Sequence, residues 1–382
     1  MTHNAKPLSD LRVLDFTRVL AGPYATALMA DLGADIIKVE GPEGDEYRHV
    51  GPFHQGESAL FQSVNRGKRS IVLDLKRPKD RDTAIALADR ADVLIENFRP
   101  GVMDRLGLGA EALCARNPRL IYASVSGFGQ TGPLASRPAY DIIVQAMSGL
   151  MELTGRPDGA PTMVGEAIAD VAAGLFAGWG IMAALHERQR TGRGRVIDVA
   201  LADALASMMP TAAARVLVAD QTPVRTGNKH ALSAPFGVYA AGEGHFAVAV
   251  LNDRLFAGFC AAVGRPDLAS DPRLASDSDR LASEPILAQA IETWAAGQTA
   301  AGAAAALAEA GIPAAPLATV RQAWTSDHAF ARGLVSSVTH PTLGPLHLPE
   351  QPVQFVGSPR GQRRPAPGLD EHGAEIRAEL EG

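Results

Sequence analysis

The size and charge of the chain exclude several classes of protein. Its 382 residues are 46% hydrophobic and carry a formal net charge of −6. They provide enough material for two domains with a large core, and their charge disfavours a nucleic-acid partner held by bulk electrostatics. Two cysteines are too few for a disulfide framework, and the ten histidines form no HExxH or CxxC-type metal pattern. Residues 1–7 lack an apolar signal core, so we expect a cytoplasmic protein without a metal site.

Short β-branched runs alternate with helical patterns through the first half of the chain. Helical periodicity covers residues 22–33 and 79–91, between predicted strands. Strand–helix alternation of this kind predicts an α/β fold in which a parallel sheet carries helices on both faces. The predicted strands are 11–16, 35–40, 70–75, 92–97, 119–125 and, after a long helix, 195–201.

The character of the sequence changes near residues 215–235, where turn-forming residues dominate. This change predicts a large domain over residues 1–220 and a smaller α+β domain over residues 221–330. The elements predicted beyond the change are a strand at 244–250 and helices at 283–297 and 299–311.

The stretch GEAIADVAAGLFAGWGIMAAL, residues 165–185, is almost wholly apolar, and Glu166 and Asp170 are its only charged residues. Asp170 has two interpretations. It is either an N-cap that accepts hydrogen bonds from the first helical turn, or a nucleophile held ionised at a helix N-terminus. The stretch is nearly long enough to span a membrane, but Asp170 and the small residues favour a core helix.

The segment GFGQTG, residues 127–132, matches the GxGxxG pattern of dinucleotide-binding loops. That pattern requires a helix to begin at the loop, whereas Pro133 and Pro138 follow it. We therefore predict that this loop contacts a ligand at the carboxyl end of the sheet without binding a dinucleotide.

Two basic segments follow strands of the predicted sheet. Arg99 and Arg105 lie just beyond the strand that ends near residue 97, and their guanidinium groups are suited to a phosphate. Solvated surface loops are the alternative explanation for these charges. Two basic loops at one sheet nevertheless favour an anion pocket, and the second loop contains Arg66, Lys68, Arg69, Lys76 and Arg77.

Tyr140 and Asp141 precede a short apolar helical pattern. Asp141 is either a helix cap or a polar group in a cleft, and Tyr140 is either a core residue or a phenol directed into that cleft. The sequence contains no GxSxG elbow, so serine hydrolase chemistry has little support.

Six long segments of the chain share one family resemblance: LRVLDFTRVLAGPYATALMADLGADIIKVE, NRGKRSIVLDLK, ADVLIENFRPGVMDRLGLG, NPRLIYASVSGFGQTGP, PAYDIIVQAMSG and GEAIADVAAGLFAGWGIMAALHERQRTGRG. Together they resemble the class III CoA-transferases, also called the CaiB/BaiF or formyl-CoA transferase group. The resemblance runs almost end to end and includes the closing RPAPGLDEHGAEIRAEL. Within the family the sequence looks closest to transferases of small carboxylic acids, of the acetyl-CoA:oxalate and formyl-CoA:oxalate type. One difference is Gly41, where formyl-CoA transferases carry an arginine.

The resemblance implies a site, a reaction and an assembly. The nucleophilic aspartate of the family corresponds to Asp170, the substrate is a coenzyme A thioester, and no prosthetic group or metal is needed. A Rossmann-like large domain is completed by the C-terminal segment 331–382, and two chains form an interlocked homodimer without a membrane or nucleic-acid partner. The implied CoA contacts are Leu20, Ala21, Leu73, Asp74, Leu75, Lys76, Asn97, Phe98, Arg99, Arg105, Tyr140 and Asp141.

Two alternatives stay open from the sequence. Acyl-CoA racemases share this fold, but relatives with that activity carry a histidine at the position of Tyr140, and a phenol with a reference pKa of about 10 is a poor base at neutral pH. A CoA-binding protein without catalysis is the second alternative. Asp170 together with the basic segments argues against it.

Overall fold

The computed structural model describes residues 6–356 and 364–381, so most of the stretch used to predict localisation lies outside the described residues. The strands, in chain order, are β1 (Arg12–Asp15), β2 (Asp35–Glu40), β3 (Phe53–His54), β4 (Glu57–Ser58), β5 (Arg69–Val72), β6 (Val93–Glu96), β7 (Ile121–Ser126), β8 (Val196–Ala200), β9 (Phe236–Ala240), β10 (His245–Ala249), β11 (Ala314–Pro316), β12 (Val335–His340) and β13 (Gly344–Pro349).

Helices connect these strands and flank the sheets. The α-helices are α1 (Ala21–Asp31), α2 (Ala59–Val64), α3 (Pro78–Asp89), α4 (Val102–Arg105), α5 (Ala110–Arg116), α6 (Asp141–Ser148), α7 (Leu150–Leu153), α8 (Ile168–Thr191), α9 (Leu201–Ser207), α10 (Pro210–Leu217), α11 (Asp253–Ala262), α12 (Asp277–Ala282), α13 (Glu284–Ala295), α14 (Ala300–Glu309), α15 (Val320–Trp324), α16 (Asp327–Ala331) and α17 (Gly373–Glu381). Short 3₁₀ segments cover Glu46–His49, Pro266–Ser270 and Pro272–Leu274.

The chain divides into two compact units. The first comprises the residues up to Leu150, Met163–Thr222 and the residues from Asp327 onward, and the second comprises Met151–Thr162 and Pro223–Ser326. The segment Met151–Thr162, which the sequence assigns to the large domain, therefore belongs to the second unit.

The first unit is built on a six-stranded sheet with the order β5-β2-β1-β6-β7-β8, and every neighbouring pair is parallel. The predicted α/β fold with a parallel sheet is thereby confirmed, and the strand order is that of Rossmann-type doubly wound folds. The order reverses between β1 and β6. Ligands bind outside the carboxyl ends of the strands at such a point, so the segments after β1 and β6 are the first places to look for a site.

Helix α8 places Asp170 at this edge of the sheet. Its buried face, which includes the fully buried Ala173, Ala177 and Ile181, packs in the core with α1. A Cβ atom on Gly174 would lie 2.5 Å from the carbonyl oxygen of Ala21, so only glycine permits this approach. The first turn of α8 therefore lies beside the start of α1. In residues 6–356 and 364–381, α8 is the one helix long and apolar enough to cross a membrane, a test that core helices also pass.

The second unit contains a three-stranded sheet with the order β11-β10-β9, in which both pairs are antiparallel. Phe246 and Val248 of β10 are buried in a core with α11, α13 and α14. Thr299 caps α14 by accepting a hydrogen bond from the N–H of Gly302.

Candidate active site

The loop between β1 and α1 is held in an unusual conformation. Val19 has φ +67°, which a β-branched residue adopts only under strain. Its N–H donates to Asp45 Oδ1 over 3.1 Å, while Lys38 Nζ donates to Asp45 Oδ2 over 2.7 Å and to the carbonyl of Thr17 over 2.9 Å. Lys38 and Asp45 are almost fully buried. This buried ion pair therefore fixes the backbone that leads into Leu20.

Helix α1 begins at Ala21 with Leu20 as its N-cap residue, and no side chain caps it among the described residues. The first N–H groups of a helix have no partner inside the helix, and its dipole favours negative charge at that end. The start of α1 is therefore suited to a carboxylate or an oxyanion.

Asp170 lies in the first turn of α8, whose N-cap residue is Ala167. The carboxylate that accepts hydrogen bonds from this turn belongs to Asp141, whose Oδ1 lies 2.7 Å from the N of Ala169 and 3.4 Å from the N of Asp170. In the part of the chain that the structure describes, the Asp170 carboxylate has no hydrogen bond or ion pair of its own. The cap interpretation of Asp170 is therefore wrong, because Asp141 takes that role from a separate helix.

The surroundings of Asp170 change its acidity. Burial, followed by the negative charge of Asp141, raises the pKa of its carboxyl to about 7. Perturbed carboxyls of this kind concentrate at functional sites. Asp170 is thus a half-buried, unpartnered carboxyl that titrates near neutral pH.

A cavity of about 250 Å³, here called the Asp170 cavity, opens at this carboxyl. It lies at the carboxyl edge of the sheet, where the segments after β1, β6 and β7 meet the first turn of α8. Seven residues predicted from the sequence line it together: Leu20, Ala21, Asn97, Phe98, Arg99, Tyr140 and Asp170.

A larger cavity of about 700 Å³, here called the strand-end cavity, lies outside β1, β2 and β5. Arg18, Glu46 and Phe98 line both cavities, so the two spaces are neighbours. Gly41 also lines the strand-end cavity, and a Cβ atom there would meet nothing within 4 Å. The remaining predicted contacts gathered here are Leu73, Asp74, Leu75, Lys76 and Arg105, together with Phe98.

Asp141 is the one predicted CoA contact that lines neither cavity. Its carboxylate accepts from α8 and, over 2.6 Å, from Nε2 of Gln145. The structure therefore gives Asp141 a contact with the start of α8, and its part in CoA binding stays a prediction.

The basic segment after residue 63 differs from the prediction. Arg66 pairs with Asp31 over 2.6 Å, Lys68 with Asp15 over 3.0 Å, and Arg69 with Asp35, Glu375 and Glu379, all with the cations buried or nearly so. These three cations neutralise carboxylates inside the fold. The interpretation of the whole segment as an anion pocket is wrong, and of its five cations Lys76 alone lines the strand-end cavity.

The glycine loop 127–132 begins at the Asp170 cavity, which Gly127 lines. A Cβ atom on Gly127 would lie 2.3 Å from the Cβ of Ala139, so glycine permits the loop to fold back closely. No helix follows before α6 at Asp141 among these described residues. The segment therefore lacks the structure of a dinucleotide-binding turn, as the two prolines predict.

Three residues of this region are absent from the sequence prediction. Arg18 lines both cavities, and its guanidinium pairs with Glu46 over 2.7 Å and lies 4.8 Å from the centre of the Phe98 ring. Burial, followed by the charge of Asp170, raises the pKa of Tyr47 to about 12, so its phenol stays protonated near the carboxyl. Ser126 is buried in the wall of the Asp170 cavity. No short motif marks these positions, because each acts through contacts across the sheet edge.

The fold and the two adjoining cavities define an α/β protein with space for a long ligand and a carboxyl in the smaller cavity. Comparison with known proteins identifies the class. The family model for CoA-transferase family III matches residues 8–373. The chain belongs to this family and is a CoA-transferase.

Characterised relatives and a solved structure agree with this assignment. The chain is 45% identical over 377 residues to the acetyl-CoA:oxalate CoA-transferase of Acetobacter aceti, covering 98% of this chain and 96% of that protein. It is 38% identical over 389 residues to the succinate–glutarate CoA-transferase of Agrobacterium fabrum, covering 100% and 97%. A crystal structure of a CaiB/BaiF family protein from Brucella suis superposes with a TM-score of 0.87 at 39% identity, covering 98% of this chain and 100% of that one. These relatives favour the transferase over the racemase.

Proposed function

We propose that this CoA-transferase moves CoA from an acyl-CoA thioester to a small dicarboxylic acid, with Asp170 as the nucleophile. The observation that carries the proposal is the Asp170 carboxyl, which has no partner among the described residues and opens on a cavity beside the uncapped start of α1. The relatives that act on oxalate, succinate and glutarate by name support the acid class.

The proposed reaction uses Asp170 twice. A carboxylate oxygen of Asp170 attacks the thioester carbonyl carbon, the C–S bond breaks, and a mixed aspartyl–acyl anhydride and the CoA thiolate form. The thiolate attacks the aspartyl carbonyl, which releases the donor acid and leaves an aspartyl-CoA thioester. The acceptor carboxylate then attacks this thioester and expels the thiolate, which attacks the acceptor acyl carbon and frees Asp170.

The surrounding residues have defined tasks in this scheme. The uncapped N–H groups at the start of α1, next to Leu20 and Ala21, stabilise the oxyanion that forms at each attack. Water must be kept from Asp170 during turnover, because it would hydrolyse both activated intermediates. The strand-end cavity holds the nucleotide part of CoA, with Lys76 and Arg105 as cations for its phosphates.

We propose that two chains associate as the interlocked homodimer that the resemblance implies. Large apolar side chains of the first unit support this, because Trp179 is 69% exposed, Leu217 82% and Val218 86%. Light scattering should then give a particle mass of twice the 40.0 kDa chain, and a monomer at micromolar concentration would contradict the assembly.

A substrate panel tests the proposed function. With acetyl-CoA as donor, oxalate, succinate and glutarate should accept CoA at least roughly tenfold better, in kcat/KM, than octanoate or benzoate. Liquid chromatography of the CoA products gives the measurement. Turnover confined to long-chain or ring-containing acids would contradict the proposed acid class.

The pH dependence of the reaction should report Asp170. Because only the ionised carboxylate attacks and its pKa is raised to about 7, kcat/KM for acyl-CoA should fall about tenfold per pH unit below 7 and level off above it. Asp141→Asn keeps an oxygen for the start of α8 but removes the neighbouring charge, so its inflection should move to lower pH. A profile that is flat from pH 5 to 8 would remove Asp170 from the rate-determining chemistry.

A further inference from the structure

We propose that Arg99 and Ser126 bind the second carboxylate of the dicarboxylic acid, and so determine the preference of the enzyme for diacids over monoacids. The inference rests on the proposed function, since it concerns the acid that enters the Asp170 cavity. It gives Ser126 a role in substrate binding, and it gives Arg99, which the resemblance implies as a CoA contact, a second ligand in the acid.

The charges around the Asp170 cavity leave one cation available. Two arginines line it, Arg18 and Arg99. Arg18 is neutralised by Glu46 over 2.7 Å and lies against the ring of Phe98. The Arg99 side chain has no ion pair or hydrogen bond within the described residues. Arg99 is therefore the cation that an incoming anion meets without displacing a partner.

The backbone under Arg99 is fixed, so its side chain starts from a defined position. The side chain of Asn97 accepts from the N–H of Arg18 over 2.9 Å and donates to the carbonyl of Arg18 over 2.8 Å. The carbonyl of Arg99 accepts from the N–H of Val102 over 3.1 Å, and Pro100 restricts the residue before it. Only the long side chain of Arg99 remains free to adjust to a ligand.

Ser126 supplies an independent observation that indicates a ligand. It is the last residue of β7, it is only 8% exposed, and it lines the same cavity. Its buried Oγ has no hydrogen-bond partner in residues 6–356 and 364–381. A buried hydroxyl without a partner destabilises a fold, and such groups in native proteins mark a missing water, ion or substrate. A substrate oxygen in the cavity would satisfy it.

The chemistry of a diacid explains why both groups are needed. One carboxylate must approach the acylated Asp170 to react, and the other stays ionised in the cavity and needs a cation or a hydrogen-bond donor. An arginine binds a carboxylate through two charge-assisted hydrogen bonds, and a short hydroxyl accompanies it without adding bulk. The cavity volume of about 250 Å³ suits an acid of a few carbon atoms. A monoacid of equal length gains nothing from either group.

The Arg99→Met variant tests the cation. With acetyl-CoA as donor and succinate or butyrate as acceptor, its kcat/KM for succinate should fall roughly 10- to 100-fold. The value for butyrate should fall much less, so that the succinate-to-butyrate ratio drops roughly tenfold or more. The matched control is Arg193→Met, which replaces an exposed arginine just beyond the C-terminal end of α8. It should change neither the kcat/KM for succinate nor the succinate-to-butyrate ratio. An unchanged succinate-to-butyrate ratio, or a rise in the KM for acetyl-CoA instead, would overturn the role of Arg99.

The Ser126→Ala variant tests the hydroxyl with a second readout. Its succinate-to-butyrate ratio should fall about fivefold, whereas its Tm without substrate should equal or exceed that of wild type, because no internal hydrogen bond is lost. Ser124→Ala on the same strand is the control. Ser124 is equally buried and bonds to Glu96, so its loss should lower the Tm and spare the ratio.

The two ideas fail in different ways. A Ser126→Ala variant that melts lower and keeps its selectivity would assign Ser126 a structural role and overturn its part in substrate binding. Wild-type enzyme that transfers CoA to no diacid would overturn the proposed function and this inference together. Diacid transfer with unchanged selectivity in both variants would overturn the inference alone.

Discussion

The Asp170→Ser variant should fold like the wild type and lose CoA transfer, with turnover falling roughly 10³-fold or more. A serine hydroxyl can form neither an acid anhydride nor an acyl-CoA thioester, so both proposed intermediates are lost. The start of α8 should be unaffected, because Asp141 accepts the hydrogen bonds from its first turn. Steady-state transfer assays and thermal melting give the two measurements.

The stability of this variant should depend on pH in a defined direction. Folding raises the pKa of Asp170 from 3.8 to about 7, first through burial and then through the charge of Asp141. The folded chain therefore holds this proton more tightly than the unfolded chain. Ionised Asp170 destabilises the fold increasingly between about pH 4 and pH 7, and fully above that. The variant should accordingly melt at or above the wild-type Tm at pH 8 and approach it near pH 4.

A matched control and a chemical trap complete the test. Asp203→Ser makes the same change at an exposed aspartate in the first turn of α9, outside both cavities, and should keep full activity. Hydroxylamine added during wild-type turnover should leave a hydroxamate on the peptide that contains Asp170, since both intermediates are activated acyl groups. Substantial turnover by Asp170→Ser, or a trap on another peptide, would refute the mechanism.

The framework of the first unit could be predicted because burial on both faces of a parallel sheet leaves a clear pattern. The run DIIKVE predicts a strand at 35–40, and β2 is Asp35–Glu40, with five of its six residues buried. The end of α8 could also be predicted, because glycine is the usual residue just after a helix. In the structure Gly192 takes this position with φ +69°. The unit to which Met151–Thr162 belongs could not be predicted, since it depends on which distant residues the segment contacts.

The candidate site could be predicted from residue type and position only for Arg99, which follows a strand. Asp170 and Tyr140 were assigned through the family resemblance, and one cavity gathers all three. The cap of α8 could not be predicted, because Asp141 reaches it across 28 residues of sequence. The part of Ser126 in the site could not be predicted either, since only its burial and its missing hydrogen-bond partner distinguish it from other strand serines.

The basic segment around β5 is a case in which the sequence predicted a ligand site that the structure does not contain. In the sequence its cations are indistinguishable from those of a phosphate site. Their partners, Asp31, Asp15 and Asp35, lie on segments that only the sheet order brings alongside. The charge pattern of a sequence therefore shows where cations stand in the chain. It does not show whether each cation pairs with an internal carboxylate or with a ligand.

The Lys68→Met variant should be destabilised by about 3–5 kcal/mol, as expected when one partner of a buried ion pair is removed. Lys68 and Asp15 are both 0% exposed, and Lys68 Nζ lies 3.0 Å from Asp15 Oδ2, 2.8 Å from Asn65 Oδ1 and 3.1 Å from the carbonyl of Pro23. Methionine fills a similar volume, so the loss is mainly electrostatic. Urea unfolding at pH 7 gives the measurement.

The pKa of Asp15 explains why this loss is large and where it should disappear. Burial alone would raise that pKa, but the charges of Lys68 and Lys38, with hydrogen bonds from Thr17 and Thr26, outweigh it and hold the pKa at about 2. Burial lowers the pKa of Lys68 to about 8. The stabilisation from this pair is therefore present between about pH 4 and pH 8 and declines as pH falls toward 2. Arg77→Met, which removes an exposed cation paired with Asp74 in the same segment, should change stability by less than about 1 kcal/mol. If Lys68 instead belonged to an anion pocket, Lys68→Met would unfold at the wild-type urea midpoint and raise the KM for acyl-CoA.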